Sequence, residues 1–248
     1  MASPRNVDFE SQIPADLLIA RIMRIHASIS NLDSLRPSTQ VNSLFTHLVQ
    51  EMRESLINLC GRAEGLLELE FATFLIETPQ PLNSLHLFPY YGNYVKLASL
   101  EYRILHENGV VQPKKVAFVG SGPMPLTSFI MAIHHMKFTH FDNFDVDEAA
   151  NGVARQLVVS DAELEKRMKF ETCDIVNVKE KLSEYDCIFL AALVGLNKDE
   201  KLKILSRLRK YMKEGGILLV RSANGLLSIF HPTNDVINSV ILVRKPVF

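Results

Sequence analysis

The segment Lys114-Lys115-Val116-Ala117-Phe118-Val119-Gly120-Ser121-Gly122 constrains this chain more than any other. It is a short apolar run that closes on two glycines. Such a run reads as a strand buried on both faces, and glycines after a first strand let the backbone approach a nucleoside-like ligand closely. The third glycine of the dinucleotide fingerprint is missing, and Pro123 and Pro125 stand in its region. That departure disfavours a pyrophosphate site and favours a ligand without phosphates. An acid follows at Asp145, where a second strand should end, and a carboxylate there can accept from both hydroxyls of a ribose. Asp174 closes the third expected strand.

The periodicity changes at Pro113. Before it, apolar residues recur at helical spacing from Ile13 to Leu32. They recur again along a stripe from Val41 through Leu48, Met52, Leu56 and Leu67 to Phe74, and once more from Gly92 to His106. The second stripe is unusually long for a globular helix. After Pro113, strands and helices alternate. Strands are expected near 114–120, 138–146, 169–172, 186–193, 217–222 and 236–244, with helices near 126–135, 149–158 and 198–212. The chain therefore reads as a helical domain over 1–112 followed by an α/β domain over 113–248. Alternation of this kind predicts a parallel, doubly wound sheet.

Charge and composition exclude several classes. The 27 basic residues nearly balance 28 acidic ones, and no basic run marks a nucleic-acid partner. The longest apolar run, from Cys187 to Leu196, is too short to span a membrane, and the N-terminus lacks the apolar stretch of a secretory signal. Cys60, Cys173 and Cys187 are widely spaced with no CxxC pair. Reduced thiols in a cytoplasmic protein are the expectation. His134 and His135 are adjacent on a helix and so do not face one site, and no metal site is expected.

Strand, glycine turn, helix, strand and acid together resemble the class I S-adenosylmethionine-dependent, Rossmann-like fold. The candidate binding set for that molecule is Gly120, Ser121, Gly122, Pro123, Asp145, Asp174 and Ala191. Longer blocks carry a narrower resemblance: LINLCGRAEGLLE from Leu56, FPYYGNYVKL from Phe88, FVGSGPMPLTS from Phe118, FDVD from Phe144, FLAALVG from Phe189, LLVRSA from Leu218 and HPTNDVINSVI from His231. Together they resemble nicotianamine synthase of the plant type, over nearly the whole chain from about Ile19 to Lys245.

The resemblance implies a transferase that joins three S-adenosylmethionine molecules by moving aminocarboxypropyl groups, releases methylthioadenosine and closes an azetidine ring. The product is a metal chelator that serves iron homeostasis. S-adenosylmethionine is the small-molecule substrate, and no further cofactor is implied. The nucleophile is an α-amino group that must lose a proton first, and the resemblance implies a Glu and a Tyr for that step. Glu64, Glu68, Tyr90, Tyr91 and Tyr94 are the candidates. Glu64 and Tyr90 are the first choice. Apart from the resemblance, the plainer reading of the glutamates is an exposed helix face, and that of the aromatic cluster is packing.

Two segments of the family pattern are missing. Leu48-Val49-Gln50 runs directly into Glu51-Met52-Arg53, and only Asn224, Gly225 and Leu226 separate Ala223 from Leu227. Parallel neighbours need a crossover of about a dozen residues, whereas Asn-Gly signals a tight hairpin. A strand near Leu227 to Phe230 should then pair antiparallel with its predecessor or be lost, and the last strand should shift or become an edge. The α/β domain is thus truncated towards its C-terminus. A catalytically degenerate S-adenosylmethionine-binding paralogue is the alternative function. Ala191-Ala192-Leu193-Val194-Gly195 lacks an Asn-Pro-Pro-Tyr-like motif, which argues against an amine methyltransferase.

Overall fold

Alternate residues of the first strand enter opposite cores. Val116 and Phe118 pack into one buried cluster and Ala117 and Val119 into another, so the strand lies inside a sheet covered on both faces. The computed structural model describes residues 15–31, 53–195, 197–222 and 239–247. By contact density the chain divides into two units, Met1–Arg62 and Ala63–Phe248. The first unit contains helix α1 (Ala15–Ser30). Helix α2 (Arg53–Ile76) begins in the first unit and runs into the second.

The second unit holds a six-stranded sheet made of β1 (Lys115–Val119), β2 (His140–Asp145), β3 (Met168–Thr172), β4 (Cys187–Leu190), β5 (Ile217–Ser222) and β6 (Ser239–Arg244). The order is β3-β2-β1-β4-β5-β6. The first five strands are mutually parallel, and β6 is antiparallel to β5. The wholly parallel sheet expected from alternation is therefore corrected at its last strand. The physical reason is connectivity, because an antiparallel neighbour needs no crossover helix. The junction at Gln50-Glu51 and the stretch from Leu227 to Phe230 lie outside the described residues, as do the first twelve positions of the stripe that starts at Val41.

One face of the sheet carries the end of α2, helix α3 (Tyr91–Glu107), helix α4 (Leu126–Ile130) and helix α5 (Glu148–Val158). Ala72, Leu75, Ala98, Leu105, Phe129 and Leu157 from these helices are buried against Phe118, Phe141 and Phe189. The Phe118 and Phe189 rings stack at 5.0 Å between centroids. The other face carries helix α7 (Lys198–Tyr211), whose Ile204 and Leu208 pack on Ile188, Leu190 and Leu218. Helix α6 (Ala162–Arg167) leads into β3. Neither α6 nor the short 3-10 turns at Ile175–Asn177 and Glu180–Glu184 is visible as periodicity, because each is too short to repeat an apolar face.

Side-chain caps set the helix starts. Asp147 accepts from the Ala149 and Ala150 amides, Asp161 from those of Glu163 and Leu164, and Asn197 from that of Glu200. Helix α4 continues as a π-helical turn, Met131–His135, within the span expected to be one helix. The strand expected over 186–193 ends at Leu190, and residues after it form a loop with Gly195 at φ +72°. Among the described residues, no helix is long and apolar enough to cross a membrane.

Candidate active site

The strand order reverses between β1 and β4. In an open α/β sheet the crevice outside the carboxyl ends of the strands at that point is where ligands bind. The glycine turn after β1 and the loop after β4 meet there. Gly120 has φ +80° and Gly122 has φ +66°, a region that side chains with a Cβ avoid. A Cβ on Gly120 would lie 2.2 Å from Val194 Cγ2 and 3.2 Å from the Ala191 Cβ. Only glycine fits between β1 and the β4 loop. The Ala191 amide donates to the Val119 carbonyl at 3.0 Å, which carries the β1–β4 ladder to the rim of the crevice.

Asp145 braces the turn. Its Oδ2 accepts from the Gly122 amide at 2.8 Å, and its Oδ1 accepts from the Asp147 amide at 3.0 Å. The Gly120 amide donates to the Phe144 carbonyl at 2.8 Å. Turn and acid thus form one hydrogen-bonded unit. Pro123 is buried. Ser121 is buried too, and its Oγ has no hydrogen-bond partner among the described residues. Asp174 lies two residues past the end of β3, half-buried, and caps the 3-10 turn Ile175–Asn177 by accepting from the Val176 amide through Oδ1 at 3.1 Å.

Above the turn stand two glutamates and a tyrosine. Glu64 and Glu68 are four residues apart on α2, so they share a helix face. The Tyr94 hydroxyl, from the first turn of α3, lies 2.9 Å from Glu68 Oε1 and 3.3 Å from Glu64 Oε1. A phenol has one proton to donate, so Glu68 takes the stronger bond. Glu68 Oε2 in turn lies 3.2 Å from where a Cβ on Gly122 would stand.

Burial pushes the Glu68 carboxyl up to about 7. The Tyr94 hydrogen bond opposes that shift, and the charges of Glu64 and Asp145 add to it. Burial and the same two glutamates push the Tyr94 phenol well above the ordinary range. Tyr94 therefore stays neutral at physiological pH, while Glu68 holds or releases a proton near neutrality.

The structure brings Glu64, Glu68 and Tyr94 together. It does not bring Tyr90 to them. Tyr90 precedes α3, is 48 % exposed and presents its ring edge-on to Phe88. Tyr91 packs on the apolar cluster around Phe88.

A further pair went without a role in the sequence. Arg221, in β5, donates through Nε to Glu101 Oε1 at 2.7 Å and through an Nη to Glu101 Oε2 at 2.7 Å. It also donates to Thr127 Oγ1 at 2.8 Å, and its guanidinium lies 5.2 Å from the centre of the Phe118 ring. Glu101 and Arg221 are both buried. The available signal was a lone arginine inside the apolar strand Leu218-Leu219-Val220-Arg221, since a buried charge demands a partner.

A doubly wound sheet with a glycine turn after β1 and a bracing acid at the end of β2 defines a class I S-adenosylmethionine-dependent transferase architecture. Within that class the chain belongs to the nicotianamine synthase family. The family model described as "Nicotianamine synthase protein" matches residues 10–228. The chain is 44% identical over 264 residues to nicotianamine synthase of Solanum lycopersicum, covering 92% of this chain and 83% of that protein. It is 44% identical over 269 residues to nicotianamine synthase 2 of Arabidopsis thaliana, covering 93% and 84%. Both alignments are longer than the 248 residues of the chain, so this chain lacks segments that those relatives have. Among solved structures it is similar to a Glu-to-Gln variant of MtNAS in complex with S-adenosylmethionine, with a TM-score of 0.66, 17% identity and coverage of 93% and 99%. It is also similar to MtNAS in complex with MTA and tNA, with a TM-score of 0.64. At that identity the likeness concerns the fold.

Proposed function

We propose that this chain is a nicotianamine synthase that condenses three S-adenosylmethionine molecules by aminocarboxypropyl transfer. The observation that carries the reading is the Tyr94–Glu68 bond held over Gly122. It sets a titratable carboxyl beside the turn where a nucleoside would lie. Glu64, Glu68 and Asp145 crowd acidic groups there, which suits a substrate with sulfonium and ammonium cations.

Gly120, Ser121, Gly122 and Pro123 line the turn that receives the nucleoside. Asp145 keeps lone pairs beyond the two amides it accepts from, and these take the ribose hydroxyls. Asp174 and Ala191 flank the adenine at the ends of β3 and β4. Glu68 accepts the proton from the α-amino group. Tyr94 holds Glu68 in place and passes its hydrogen bond between the two glutamates.

The freed amine attacks the γ-carbon of a second molecule's aminocarboxypropyl group. A C–N bond forms and the C–S bond breaks. The sulfur keeps the electron pair and leaves as neutral methylthioadenosine. The last of the three groups closes the azetidine ring on its own chain. Selecting that carbon over the methyl is a matter of orientation. No further cofactor enters the scheme. Helices carry Glu64, Glu68 and Tyr94, and we divide the chain into a helical part over 1–112 and an S-adenosylmethionine-binding part over 113–248. The three cysteines are free thiols, which supports a cytoplasmic setting.

Incubation of the purified chain with S-adenosylmethionine alone, followed by mass spectrometry, tests the reading. Methylthioadenosine with nicotianamine supports it. Binding without turnover favours a degenerate paralogue, a reading supported by the missing segments. S-adenosylhomocysteine as product indicates methyl transfer instead.

A further inference from the structure

Arg221 touches the elements that carry the site. Through Glu101 it is tied to α3, which presents Tyr94. Through Thr127 it is tied to α4, which follows the glycine turn, and its guanidinium covers Phe118 in β1, which precedes the turn. Glu101 lies seven residues after Tyr94, about two turns along the same helix face. The bidentate bond spans 120 residues of sequence and fixes both the height and the rotation of α3 relative to the sheet, because a planar guanidinium meets a carboxylate in one plane.

Packing alone does not account for these residues. A buried ion pair pays desolvation on both partners, and apolar residues of like volume usually hold two elements together as well or better. What the pair adds is a single geometry. The Tyr94–Glu68 contact depends on that geometry, since Tyr94 reaches α2 from its own helix across a gap that a small rotation of α3 would open.

We infer that Glu101 and Arg221 are a positioning pair that holds the Tyr94 phenol against Glu68 above the glycine turn, so that the amine loses its proton where it must attack. The inference rests on the proposed function. Neither residue is assigned contact with the reacting atoms.

The test is the double apolar replacement E101L/R221M, with Arg221→Lys as a second variant that keeps the charge and loses the bidentate plane. Thermal unfolding, the Kd for S-adenosylmethionine, and kcat and KM for nicotianamine formation are measured on each. A positioning pair predicts a folded double variant with Kd within a few-fold of wild type, KM little changed, and kcat down by about a hundredfold, the scale of a misplaced catalytic group. A merely structural pair predicts kcat kept per folded molecule whichever way thermal stability moves, and that result overturns the inference. If the double variant does not fold, Arg221→Lys decides. A reduced kcat at unchanged Kd supports positioning, and wild-type kcat refutes it. Wild-type protein assayed in parallel separates the two readings. No turnover by wild type removes the proposed reaction and this inference with it, whereas full turnover by wild type and both variants removes the inference alone.

Discussion

Glu68 Oε2 lies 3.2 Å from the point where a Cβ on Gly122 would stand. The carboxyl that titrates near neutrality is thus in direct apposition to the turn proposed to receive the nucleoside, with no side chain at position 122 between them.

Glu68→Gln is expected to lower nicotianamine formation by about a hundredfold or more, the usual share of a general base, while the Kd for S-adenosylmethionine stays within a few-fold. Tyr94→Phe should lower kcat more than Tyr90→Phe, because only the Tyr94 hydroxyl meets Glu68 and Glu64. Steady-state kinetics on Glu68→Gln, Glu64→Gln and the two tyrosine variants orders them. A larger effect at Tyr90 than at Tyr94 would return the assignment to the residue first chosen from sequence.

Activity should fall on the acid side with a midpoint near the Glu68 value of about 7, since the carboxylate form accepts the proton. The same group makes stability pH-dependent in the opposite sense. Its folded pKa lies above its ordinary value of 4.5, so the folded state binds the extra proton. The contribution is complete below about 4.5 and is lost as pH rises through about 7. Thermal unfolding from pH 5 to 8 should therefore show a smaller decline in Glu68→Gln than in wild type.

Gly120→Ala is expected to lower both thermal stability and S-adenosylmethionine affinity. The new Cβ meets Val194 at 2.2 Å and must adopt φ +80°, a conformation that costs about 1–2 kcal/mol for an L-residue. Adding Val194→Ala removes the clash and leaves the backbone strain. Differential scanning fluorimetry should show partial recovery in G120A/V194A, and full recovery would mean that strain contributes nothing.

Asp145→Asn keeps an oxygen for only one of the Gly122 and Asp147 amides, sets its NH2 against the other, and loses the charge. We expect the Kd for S-adenosylmethionine to rise by roughly tenfold or more, in line with loss of a charge-assisted hydrogen bond, together with a fall in thermal stability from the weakened brace. Calorimetric titration reads this directly. An unchanged Kd would leave Asp145 as a brace for the turn and no more.

Much of the α/β unit was legible because its signals are local. Val116 to Val119 is apolar throughout because both faces of β1 are covered. The glycines sit where φ must be positive, and Asp145 follows at the distance of one helix and one strand. The direction of β6 was not legible, since an isolated strand carries no mark of parallel or antiparallel pairing. The choice among tyrosines was not legible either. Tyr90, Tyr91 and Tyr94 are equivalent as composition, and they part only when α3 starts at Tyr91, leaving Tyr90 outside the helix and half in solvent.

By itself, then, the sequence determined the succession of the main strands and helices and the glycine turn with its acid. These follow from spacing along the chain, which hydrophobic period and backbone sterics read over a few residues, whereas a glutamate and a tyrosine for the chemistry came from the family resemblance alone. Only the tertiary structure decided that Tyr94 meets Glu68, that β6 runs antiparallel to β5, and that Arg221 reaches Glu101. Each of these joins residues from separate elements, and such contacts are set by how α3 and β6 pack on the sheet, a long-range outcome of burial whose partners local sequence does not specify.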